Sequence, residues 1–168
     1  TPSRTKTSMS DEYAQIVQLH PTVDLWIIET MTNPLEAEAA VTAGLESGKP
    51  VFLAYRLEKN GKLKSGQTLK EVKGCFDHKD LSGILINCSE PEIISDHIAE
   101  LSDFDMPFGA YGNGFVSVEP LARGESVFKL EAREDLSPTK YADYVDQWIS
   151  AGATIVGGCC EISPSHIQ

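Results

Sequence analysis

Strand-like and helix-like segments alternate five times along this chain, and that alternation restricts its fold more than any single motif does. The apolar runs are Leu25-Trp26-Ile27-Ile28, Pro50-Val51-Phe52-Leu53-Ala54-Tyr55, Gly83-Ile84-Leu85-Ile86-Asn87, Phe108-Gly109-Ala110-Tyr111 and Thr154-Ile155-Val156. Helical patterns surround them. Residues 11–19 read as a helix with Ser10 as N-cap, and residues 35–47 as one opened by Asn33-Pro34 and stopped by Gly48. Residues 68–78 (weakened by Gly74), 91–101 and a segment opened by Ser137-Pro138 and closed by Gly152 follow. The last places Tyr141, Tyr144, Val145 and Trp148 on one face, a stripe expected to be core. Residues 58–66 read as a loop or short hairpin, and a long irregular stretch runs to about Asp135. Short continuous apolar strands alternating with helices predict an α/β fold with a parallel sheet, and the first run is of the kind expected for a strand buried on both faces. The pattern fits an open doubly wound sheet and a (β/α) barrel equally.

The polar residues 1–10 read as a flexible N-terminal segment, and 11–168 as one domain with a sizeable core. With 25 acidic against 14 basic residues the net charge is −11, which excludes nucleic acid and anionic membranes as partners. No apolar run approaches the roughly 18 residues of a membrane span, and no secretory leader is visible. The expected location is the cytoplasm. There, four cysteines (75, 88, 159 and 160) favour metal or thiol chemistry over structural disulfides. Cys75, in a polar stretch, is the best candidate for a buried, inert thiol.

Gly157-Gly158-Cys159-Cys160 follows the fifth apolar run, and Cys88 closes the third. Adjacent cysteines are poorly spaced to bond each other, because neighbouring Cα atoms lie about 3.8 Å apart and a disulfide needs roughly 4.4–6.8 Å. Both sulfurs can instead turn toward one soft metal ion beyond the strand end. Two glycines remove side chains where the backbone approaches that point. Three thiolates at two strand ends predict a zinc site with its fourth position open, the catalytic arrangement. Glu29, Asn87-Cys88, Asn113 and Cys159-Cys160 all fall at C-terminal strand ends, the edge where both parallel α/β architectures build their sites.

These residues resemble the homocysteine S-methyltransferase family of zinc-dependent (β/α)8 TIM barrels. The resemblance rests on Gly157-Gly158-Cys159-Cys160 with Pro164 and His166-Ile167 beyond, on Asn87-Cys88, and on Asp24 through Glu29-Thr30-Met31 with Glu36-Ala37. It covers nearly all of the chain from about Tyr13. The family's Tyr-Pro-Asn turn appears here as Tyr111-Gly112-Asn113-Gly114, with the proline replaced. By the same resemblance the chain supplies about five βα units, the C-terminal part of the barrel, and lacks the early Asp-Gly-Gly strand. Two unpaired strand edges would result, compatible with a homo-oligomer.

The resemblance implies methyl transfer to the thiol of homocysteine, giving methionine. Cys88, Cys159 and Cys160 would be the Zn2+ ligands, and the donor S-methylmethionine, S-adenosylmethionine, betaine or methylfolate. Glu29 would hold the substrate ammonium, unless it is merely a carboxylate favoured by a helix dipole. Asn87 would orient its neighbouring cysteine or bind substrate, unless it is a turn residue, and Asn113 is similar. His166 reads as a helix-start residue rather than a fourth ligand, and His20, His78 and His97 as surface positions. Two competing readings are a thiol-redox protein, which a Cys-X-X-Cys pattern would favour, and a non-catalytic zinc-binding half-barrel.

Overall fold

A computed structural model of the chain describes residues 5–117, 124 and 126–168. Its strands are β1 (Trp26–Met31), β2 (Val51–Tyr55), β3 (Gly83–Asn87), β4 (Phe108–Gly112) and β5 (Ile155–Gly158), all parallel and neighbours in chain order. The helices are α1 (Lys6–Leu19), α2 (Pro34–Glu46), α3 (Leu69–Lys73), α4 (Pro91–His97), α5 (Pro138–Ser150) and α6 (Pro164–Ile167). Strict 1-2-3-4-5 order distinguishes this sheet from a doubly wound one, whose order reverses at a switch point. It is the order of consecutive βα units in a barrel.

Register sets the layers. Val51, Leu53 and Tyr55 on β2, Ile84 and Ile86 on β3, and Phe108 and Ala110 on β4 form one buried cluster with α2 to α5. The intervening residues Phe52, Leu85 and Tyr111 therefore point to the opposite face, because side chains alternate along a strand. That second face explains a correction. β1 is not buried on both sides: Ile27 is 50% exposed, while Trp26 and Ile28 pack against the cluster. β1 lies at the sheet edge, with no layer over its outer face among the described residues.

Caps decide where the helices stop and start. Thr5, not Ser10, caps α1, its side chain accepting from the Ser8 amide, so residues 6–10 belong to the helix. Residues 1–4 of the expected flexible arm lie outside the described residues. α2 is buried almost all round (Ala37, Ala39, Ala40, Val41 and Ala43), being covered by α1 as well as the sheet. α3 stops at Lys73, five residues earlier than expected, because Gly74 is its C-cap; Thr68 and Glu71 form a capping box at its start. The predicted helix over 91–101 tightens into a 3-10 turn, Ile98–Phe104, which ends at Asp105 in the left-handed region (φ 55°). On α5 the aromatic stripe is core as expected, with Tyr141 and Trp148 fully buried and edge-to-face at 5.7 Å.

Two side chains differ from expectation. His78 is buried, stacked on Phe76 with its Nδ1 at 2.9 Å from the Phe76 carbonyl oxygen. Its neighbours are rings, so burial lowers its pKa by disfavouring the charged form. Cys75 is exposed, just past the α3 C-cap, with its thiol 3.4 Å from the Glu71 carbonyl oxygen. No helix among the described residues is long and apolar enough to cross a membrane.

Candidate metal centre

β3, β4 and β5 end together at one sheet edge, and their backbones place the three sulfurs. The Cys88 amide donates to the Tyr111 carbonyl and the Cys159 amide to the Gly112 carbonyl. The Gly114 amide donates to the Cys160 carbonyl at 2.8 Å. Cys88 adopts φ 51° and Glu161, just beyond Cys160, φ 60°. Left-handed backbone costs of order 1–3 kcal/mol in a non-glycine residue and concentrates where geometry is functionally constrained.

The sulfurs of Cys88, Cys159 and Cys160 lie within 4.8 Å of one another, those of Cys159 and Cys160 at 3.8 Å. All three are free thiols. A tetrahedral zinc ion with sulfur ligands at about 2.3 Å requires S···S separations of about 3.8 Å. The donor set is soft, as zinc prefers, and the Cys159–Cys160 pair meets that spacing, with all three sulfurs within 4.8 Å. Without a cation the sulfurs share their protons unequally. Cys159 falls to about 6, chiefly because the Cys88 thiol donates to its thiolate. Cys88 is pushed far up, first by that same hydrogen bond and then by burial. Cys160 rises through burial and the adjacent Cys159 charge.

This asymmetry has a measurable consequence. In metal-free protein, alkylation of Cys159 should follow its thiolate, full above a midpoint near pH 6 and fading below it. A free thiol would titrate near 8.5. Peptide mapping of iodoacetamide adducts between pH 4.5 and 9 checks this, and one common midpoint near 8.5 for all three cysteines would contradict the shared proton.

The other predicted residues surround the cluster in different ways. Glu29, on the open face of β1, accepts from the Tyr111 hydroxyl at 3.1 Å. It heads an irregular strand end rather than a helix, because β1 slips register between Ile28 and Met31. Asn87 is fully buried and its amide is engaged with Thr30: Oδ1 accepts from the Thr30 amide and Nδ2 donates to its hydroxyl, both at 2.8 Å. Thr30 has φ 61°, unfavourable for a β-branched residue, and Asn87 offsets that strain beside Glu29. Asn113 is buried; its amide donates to the Ser89 carbonyl and its Oδ1 accepts from the Phe115 amide. A cavity of about 500 Å³ opens beside the cluster, lined by Cys88, Ser89, Asn113, Phe115 and Arg56 among others. His166 does not join the sulfurs: its ring nitrogens face the Ser163 hydroxyl at 2.9 Å and the Leu136 carbonyl at 3.1 Å.

Sequence reasoning passed over three polar side chains that shape this edge. Tyr111 orients Glu29, and its position on the open face was available from the alternation along β4. Its hydroxyl is held neutral by burial and by Glu29. Tyr141, read as core, is core with a polar tip: its hydroxyl accepts from the Gly112 amide at 2.9 Å and donates to the Gly157 carbonyl at 2.6 Å. It thereby ties β4 to the glycine pair preceding the cysteines. Arg133 gave no signal, since its bidentate partner Glu92 lies 41 residues away in the chain.

A family profile described as homocysteine S-methyltransferase matches residues 2–168. A selenocysteine methyltransferase of Astragalus bisulcatus is 27% identical over 150 residues, covering 87% of this chain and 43% of that protein. Homocysteine S-methyltransferase 3 of Arabidopsis thaliana is 28% identical over 172 residues, covering 99% and 48%. Homocysteine S-methyltransferase 2 of Zea mays is 29% identical over 149 residues, covering 86% and 42%. The chain thus spans less than half the length of the curated relatives it matches.

Proposed function

The chain belongs to the homocysteine S-methyltransferase family, and on that premise we propose that it forms the acceptor side of a zinc-dependent methyl transfer to homocysteine, giving methionine. The observation that carries this reading is the convergence of three thiols, within 4.8 Å of one another, beside a cavity of about 500 Å³. Cys88, Cys159 and Cys160 would hold the ion. When bound, zinc supplies the positive charge that keeps an acceptor thiol deprotonated at neutral pH, with one tetrahedral position left for it.

The remaining roles belong to the protein's own side chains. Glu29 receives the ammonium of the amino-acid substrate, and Tyr111 orients its carboxylate by donating from below. Asn87 holds Thr30 and with it the irregular end of β1, while Asn113 shapes the cavity wall beside Cys88. In the transfer, the acceptor sulfur's electron pair forms a bond to the methyl carbon as that carbon's bond to the donor breaks. The donor leaves with that bonding pair, which suits sulfonium or ammonium compounds such as S-methylmethionine, S-adenosylmethionine or betaine; methylfolate would need a proton as well. Free thiols match a reducing compartment such as the cytoplasm. The outer edges of β1 and β5 have no neighbouring strand among the described residues, and a homo-oligomer is part of the same proposal.

Titration calorimetry of homocysteine into the zinc-loaded protein tests the reading. Binding is expected in the wild type, and Glu29→Gln should weaken it by about tenfold, the lower range for loss of a hydrogen bond to a charged group. Unchanged affinity in that variant would remove Glu29 from the substrate site. Absence of binding to the zinc-loaded wild type would overturn the acceptor role for this chain.

A further inference from the structure

Arg133 lies outside every strand and helix, yet its guanidinium donates to two carboxylates at once. Its Nη1 and Nη2 donate to the two oxygens of Glu92, both at 2.7 Å, a bidentate fork. Its Nε and Nη2 donate to the two oxygens of Asp135, at 3.1 and 2.7 Å. The Tyr144 hydroxyl donates to Glu92 at 2.7 Å. Glu92 sits in the first turn of α4 and Tyr144 on α5, so the guanidinium joins two helices to the β4–α5 connection. Its side chain is only 14% exposed, while the Glu92 carboxylate is 40% exposed, so the fork is half-buried. These contacts hold the Glu92 carboxyl down to about 2, first through the hydrogen bonds from Arg133.

The backbone of the same residue reaches the sulfur cluster in two steps. The Arg133 amide donates to the Gly114 carbonyl at 2.8 Å, and the Gly114 amide donates to the Cys160 carbonyl at 2.8 Å. Gly114 is wedged there. A Cβ would approach the Glu161 Cβ at 3.1 Å, the Ile162 Cδ1 at 3.2 Å and the Cys160 carbonyl oxygen at 3.3 Å. Cys160 is the most exposed of the three cluster cysteines and precedes the left-handed Glu161, and its carbonyl accepts from the Gly114 amide.

We propose that Arg133, clamped by Glu92 and Asp135, is a positioning residue for the sulfur cluster, fixing the Cys160 backbone through Gly114. The proposal rests on the metal reading above for its consequence but not for its geometry. Partners one layer out from a metal ligand typically change affinity 10–100-fold when removed. Acting through backbone, Arg133 should fall at the lower end, about tenfold.

The test compares Arg133→Gln, Glu92→Gln and the double variant in zinc competition against a chromophoric chelator and in the cobalt(II) spectrum. The mild Asp135→Asn variant guards against misfolding, and Ile98→Val, a core trim remote from the cluster, serves as a stability control. Each single variant is expected to weaken zinc binding about tenfold and to alter the thiolate–cobalt bands. The double variant should lose no more than either single one, because both break the same fork. Asp135→Asn should shift in the same direction by less, and Ile98→Val should leave the spectrum unchanged. Unaltered cobalt bands and zinc affinity in folded Arg133→Gln would overturn the proposal. So would a spectrum changed equally by Ile98→Val. Amide exchange at Gly114 in metal-free protein separates this from the metal reading. It should accelerate in Arg133→Gln whether or not the wild type takes up metal, and unchanged exchange would overturn the restraint itself.

Discussion

Cys159→Ser is expected to carry no zinc, whereas wild-type protein purified without chelators should carry close to one zinc per chain. The expectation follows from coordination. Removing the Cys159 sulfur leaves Cys88 and Cys160, one on the end of β3 and one beyond β5, to hold the ion alone. Serine offers a hard, protonated oxygen in place of a soft thiolate, and zinc held by two protein sulfurs would need two solvent ligands. Cys159 is also the sulfur whose pKa falls to about 6, so it is the first to offer a thiolate to an arriving cation. Elemental analysis of both proteins, each shown to be folded and reduced, decides the matter. Zinc retained at full occupancy in the variant would mean that the cluster is not the site. A metal-free wild type would remove the zinc mechanism and leave the cysteines to thiol chemistry.

Trp148→Ala should be the most destabilising single change in the core, by about 3–5 kcal/mol. Typical domains hold only about 5–15 kcal/mol in all, so the change should remove a large part of the stability. Trp148 is fully buried, packs edge-to-face on Tyr141, and donates from Nε1 to the Ser95 hydroxyl at 2.9 Å. Alanine would open a cavity and remove the hydrogen bond from α5 to Ser95 on α4. The same ring supports the site: a Cβ at Gly112 would approach Trp148 Cη2 at 3.3 Å, so tryptophan fills the space beneath the end of β4. Denaturant unfolding followed by far-UV circular dichroism measures the loss. Trp148→Phe, which keeps an aromatic ring without the indole donor, should recover more than half of it. A loss below about 1 kcal/mol for alanine would mean that this part of the core collapses without cost.

The elements that were legible in the sequence are those whose signal is local. Apolar runs gave all five strands, because burial of one face against helices selects Val, Ile and Leu at short range. Asn33-Pro34 and Ser137-Pro138 marked helix starts, since capping is a contact over three residues. Errors arose where the deciding contact was not local. Ile27 looks like core in a continuous apolar run, yet its exposure depends on which strand stands at the edge. His78 looks like a surface residue between Asp77 and Lys79, but Phe76 and Phe104 enclose its ring. At the site, the cysteine triplet was legible because its residue type carries the chemistry. Asn87 was legible as a strand-end polar residue, though not its partner Thr30, which lies 57 residues earlier.

Residue types and spacing therefore determined the α/β architecture, the three-cysteine donor set and the strand edge where it lies. The barrel-type strand order, the 3.8 Å approach of Cys159 and Cys160 sulfurs, and the path from Arg133 through Gly114 to Cys160 were settled in three dimensions. The physical reason is the range of the interactions. Propensity, capping and hydrophobic alternation act over a few residues and leave a trace in the sequence. Register between parallel strands, and hydrogen bonds joining segments tens of residues apart, depend on how the packed helices bring strand ends together.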